Sequence, residues 1–99
     1  MTEQESKALN ESIRLNEKLT SLKNNKEFKE IILKGFIEDG IKGNMMALPY
    51  AATDESKKRF HSNLEAIAKL QEYLAVIERQ AEAAKRAFET DTEEDGGED

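Results

Sequence analysis

Ninety-nine residues make one domain at most, and 37% hydrophobic against 36% charged residues is polar for a compact globule yet too apolar for a wholly disordered chain. One Pro and five Gly suit helices better than a turn-dense β-sandwich, and the absence of Cys excludes a disulfide framework or a thiolate metal cage. Of the 21 acids behind the net charge of −6, seven fall in residues 89–99 with no base among them, so residues 1–88 hold 14 acids against 15 bases. The expectation is a nearly neutral body with an acidic, disordered tail that solvates or engages a partner.

Residues 1–7 are polar and are expected to fray. From Ala8 to Leu22 the apolar positions Leu9, Ile13, Leu15, Leu19 and Leu22 cover one broad side of a helix, with Asn16 inside that arc as a register-setting polar residue. The stretch 23–27 reads as a break in which Asn24 caps a second helix over about 25–39. That helix sets Phe28, Ile31, Ile32, Gly35 and Phe36 on one face, and Leu33 and Ile37 carry the apolar surface round the cylinder. Gly40 and Gly43 weaken any helix beyond Asp39, and Pro49 disfavours helix at Leu48, so residues 40–53 are expected as a connection whose first part is either a weak helical turn or a loop.

Thr53 is a good N-cap for a long third helix, expected over about 54–89. Phe60, Asn63, Ile67, Leu70, Leu74, Ile77, Ala81, Ala84 and Phe88 recur at alternating steps of three and four, which identifies a packing seam. At 1.5 Å per residue this helix spans roughly 50 Å, about as long as the first two together. The fold expected is all-α: an elongated antiparallel helical hairpin, or slim three-helix arrangement, with one long C-terminal helix. A second helix that is apolar on two sides exceeds what one partner helix covers, so a homo-oligomer or docking on a larger protein is expected. The candidate interaction surface is Phe28, Ile31, Ile32, Leu33, Phe36, Ile37, Met45, Met46, Ile67, Leu70, Leu74 and Ile77. Met45, Met46, Leu48 and Tyr50 cluster in the connection and form an adaptable surface if exposed, or a lid on the core if folded inward.

Chemistry-bearing motifs are sparse. His61 is the sole histidine, falls just after the seam residue Phe60, and has no second His at ligand spacing, so no metal site is expected. A serine triad would need this same His61 and lacks a Gly-x-Ser-x-Gly elbow, and no Gly-rich phosphate loop is present. Neither catalytic residues nor a cofactor site is expected. Asp91-x-Glu93-x-Asp95-Gly96 imitates the first half of a calcium loop but lacks the twelfth-position Glu and the exiting helix. Lys57, Lys58 and Arg59 form a basic cluster, yet a body of about +1 argues against nucleic acid as partner. No apolar stretch reaches the roughly 18 residues of a bilayer span, and the N-terminus lacks the pattern of a secretory signal, so neither a membrane nor the secretory route is expected.

The run Leu22-Lys23-Asn24-Asn25-Lys26-Glu27-Phe28-Lys29-Glu30-Ile31-Ile32-Leu33-Lys34-Gly35-Phe36, and the later Leu64–Leu74 stretch, resemble a family of small helical proteins encoded by tailed bacteriophages. The resemblance covers about residues 8–88 and departs at Gly40-Ile41-Lys42-Gly43. It implies a phage source, with the host cytoplasm or the virion as location and other phage structural proteins as partners. Two functions are carried forward: a non-enzymatic virion or morphogenesis component acting through helix-mediated assembly, and a soluble effector that binds and inhibits a host protein. A third reading, an oligomer that sequesters a small ligand, needs a pocket at a subunit junction.

Overall fold

The computed structural model describes the backbone of residues 1–97 and the side chains as far as Asp91. Among the described residues every regular element is helical: α1 (Glu3–Lys23), α2 (Lys26–Phe28), a π-helical segment (Lys29–Asp39), α3 (Gly40–Ala47), a 3₁₀ turn (Leu48–Tyr50) and α4 (Asp54–Gly97). The helix α4 runs past the end expected near 89, and residues 98–99 of the expected acidic tail lie outside the described residues. The chain divides into two compact units, one formed by Met1–Ser21 with the helix from Leu74 onward, the other by Leu22–Tyr73.

In the first unit α1 lies antiparallel to the distal half of α4, with the N-terminal ammonium 3.8 Å from the Asp91 carboxylate. Leu19, Ile77, Ala81 and Ala84 are its buried residues. The two alanines are 0% exposed, as expected where only a methyl fits between close backbones. Asn16 is half-buried, inside the covered arc where the sequence puts it.

The start of α1 departs from the frayed expectation. The Glu5 backbone N–H donates to Thr2 Oγ1 at 3.1 Å, and the Thr2 N–H donates to a Glu5 carboxylate oxygen at 3.4 Å. Thr2-x-x-Glu5 is therefore a capping box, and it satisfies N–H groups that would otherwise have no helical partner.

In the second unit, residues 26–47 form one continuous helical arm. Its N-cap is Asn25, one residue later than expected: the Phe28 N–H donates to Asn25 Oδ1 at 2.8 Å. Lys29–Asp39 then wind in the wider π form, which closes hydrogen bonds one residue further than an α-helix does. At Gly35 a Cβ would sit 3.1 Å from the Glu30 carbonyl oxygen, a crowding that glycine avoids.

In and beside this π-helical segment Phe28, Ile32, Leu33, Gly35, Gly40 and Ile41 are half-buried. Ile37 is buried, while Ile31 and Phe36 face outward.

In the connection over residues 40–53, the first part, open in the sequence between a weak helical turn and a loop, is helix. Helix continues to Ala47, and Leu48 keeps right-handed helical angles although Pro49 comes next, so only residues 51–53 lie outside helical structure. Contacts with α4 outweigh the poor helix propensity of the two glycines: a Cβ on Gly40 would meet Ile67 Cδ1 at 2.9 Å, so the helices approach closely there. Thr53 caps α4 as expected, its Oγ1 accepting from the Ser56 N–H at 3.0 Å.

Candidate interaction surface

The arm 26–47 meets α4 through a small polar joint. Asn44 donates from Nδ2 to the Gly40 carbonyl oxygen at 2.7 Å, and its Oδ1 accepts from Asn63 Nδ2 at 3.0 Å. Gly40 lies against Ile67 and Asn44 against Asn63, so residue numbers rise along the arm as they fall along α4, and the pairing is antiparallel. Asn63 thus uses a seam position for a hydrogen bond. A sliding of the arm by one turn would part the two amides, which ties this joint to register.

Beside the joint lies a shallow cleft of about 270 Å³, lined by Gly35, Phe36, Gly40, Asn44, Asn63, Ala66 and Ile67. Its polar groups are two neutral amides already bonded to each other, so it offers neither acid nor base for chemistry. A larger hollow, about 390 Å³, has among the described residues a lining of Glu3, Ser6, Lys7, Asn10, Glu11 and Arg14.

The twelve residues expected at an interaction surface separate into three groups. Ile67, Ile77 and Ile37 are 3%, 6% and 9% exposed, so they belong to the packing within the chain and are not a free surface. Phe28, Ile32, Leu33, Leu70 and Leu74 are half-buried. Ile31 (64%), Phe36 (43%), Met45 (60%) and Met46 (73%) face solvent, joined within the same unit by Leu22, Tyr50 and Tyr73. The methionines are therefore surface and not a lid. Tyr50, grouped with the methionines as a surface if exposed, is 87% exposed, and Tyr73, expected only to flank the seam, is exposed as well.

The remaining motifs stay apart from one another. His61, Lys57, Lys58 and Arg59 are exposed on the first turns of α4. Among the described residues no three His, Asp or Glu side chains gather where a metal ion could be held. The side chains of Glu93 and Asp95 in the calcium-loop resemblance lie outside the described residues. No described helix is long and apolar enough to cross a membrane.

No protein family, no curated protein and no solved structure matches this chain.

Proposed function

We propose that this chain is a non-enzymatic assembly protein that acts by helix-mediated self-association. The observation that carries this reading is the set of large apolar side chains in the 22–73 unit that the chain leaves in water, foremost Ile31, Met45, Met46 and Tyr50. Single exposed apolar residues are ordinary on monomers; several in a unit of about fifty residues favour a surface that is covered in the working state. Met and Tyr suit that use, since Met adapts its shape and Tyr tolerates both apolar and wet surroundings. The resemblance of residues 22–36 and 64–74 to small helical phage proteins supports a setting in phage particle assembly, as a virion or morphogenesis component.

The rival reading, a host-directed effector, draws its support from the seven acids of residues 89–99. The two readings differ in which part of the chain makes contact. Light scattering on the full chain and on a chain ending at Phe88 separates them. Self-association through the arm survives the truncation and persists at high salt. Loss of association with the tail, together with weakening as salt rises, overturns it in favour of tail-driven binding.

A further inference from the structure

We infer that the second copy docks along the outer side of the arm 26–47, antiparallel and related by a two-fold axis through position 36. This rests on the self-association reading and names its surface. The outer side is a stripe with a step of four residues, a little over one turn in the α parts of the arm and a little under one in its π part: Lys26, Glu30, Lys34, Glu38, Lys42 and Met46. All six are exposed. Gly40 and Asn44, which contact α4, stand two residues beyond Glu38 and Lys42 and hence about half a turn round. The stripe therefore points away from the packing inside the unit.

The signs along this stripe alternate, and their order is antisymmetric about Phe36. A two-fold axis there brings Lys34 of one copy to Glu38 of the other and Glu30 to Lys42, each twice. It also lays the aliphatic stem of Lys26 along Met46, a contact open to a long amphipathic side chain. Shifting the axis to position 34 sets Glu30 on Glu38, and shifting it to 38 sets Lys34 on Lys42. Parallel pairing in register sets every charge on its own kind. One arrangement is complementary and its neighbours are repulsive, the pattern that selects a register.

The same charges argue for a second copy over a strongly charged partner. Residues 26–47 hold four lysines and four acids, so the arm has no net charge to draw nucleic acid or an acidic surface. Lys34 already lies 3.2 Å from Asp39, and Lys42 lies 3.7 Å from Glu38. These four side chains are nonetheless 52–70% exposed, which leaves room for a further partner. Exposed ion pairs add little affinity singly. Their part here is to choose the pairing, while Met45 and Met46 supply apolar area.

The test uses the full chain with Lys34→Glu in one sample and Glu38→Lys in another, each measured by sedimentation velocity. Each variant alone is expected to associate at least about tenfold more weakly than the unchanged chain, because two like charges then meet across the axis. An equimolar mixture is expected to recover association, since one copy brings two acids to the two lysines of the other. Glu30→Lys with Lys42→Glu is a second pair expected to behave alike. Single variants that associate as strongly as the unchanged chain, or a mixture no tighter than either alone, overturn the assignment of this face and leave self-association standing. An unchanged chain that stays monomeric overturns self-association itself.

Discussion

Gly40 and Gly43 stand three residues apart in α3 for different reasons. A Cβ at Gly40 would lie 2.9 Å from Ile67 Cδ1, whereas at Gly43 it would meet nothing within 4 Å. Gly43→Ala is therefore expected to raise stability by about 0.5–1 kcal/mol in urea denaturation, from helix propensity and a less free unfolded chain. Gly40→Ala is expected to gain clearly less, because the Ile67 terminus must turn away. Ile67→Val removes the very Cδ1 atom in the way and by itself is expected to cost about 0.5–1.5 kcal/mol. In that background Gly40→Ala is expected to recover most of the gain seen at Gly43. Strictly additive effects would contradict the close approach.

At the scale of elements, α1 reaches α4 over Ala81 and Ala84, and the π-wound arm reaches it over Gly40. Ala81→Leu forces extra volume into a filled site and is expected to lower stability by about 1–3 kcal/mol, while the same change at exposed Ala83 is expected to alter it by under about 0.5 kcal/mol. Equal effects at the two positions would contradict the packing.

The seam was legible beforehand, since nine positions at heptad spacing leave little ambiguity, and eight of them are buried or half-buried. Asn63 is the exception, being exposed and bonded to Asn44. The π winding was hidden, because Phe28, Ile31, Ile32, Gly35 and Phe36 also satisfy the ordinary helical period. The extension through Gly40–Ala47 was hidden for another reason: local propensity speaks against it, and the contact with Ile67 that outweighs this is not local. Thr2-x-x-Glu5 was readable as a capping box, but the absence of apolar residues in residues 2–7 hid the helix it starts.

At the scale of the whole molecule, each unit buries its own stretch of the α4 seam, and the apolar excess expected from sequence is found in a narrower set of residues than anticipated. Ile67 and Ile77 are covered within the chain, whereas Ile31, Met45, Met46 and Tyr50 remain in water. The sequence alone names Ile31, Phe36, Met45 and Met46, which are exposed, together with Ile37, Ile67 and Ile77, whose burial depends on non-local packing that periodicity does not show. Sedimentation velocity of the unchanged 11.2 kDa chain from low to high micromolar concentration is the most direct measurement. A mass rising to a whole multiple of the single chain is expected. A single species of one-chain mass across that range contradicts self-association.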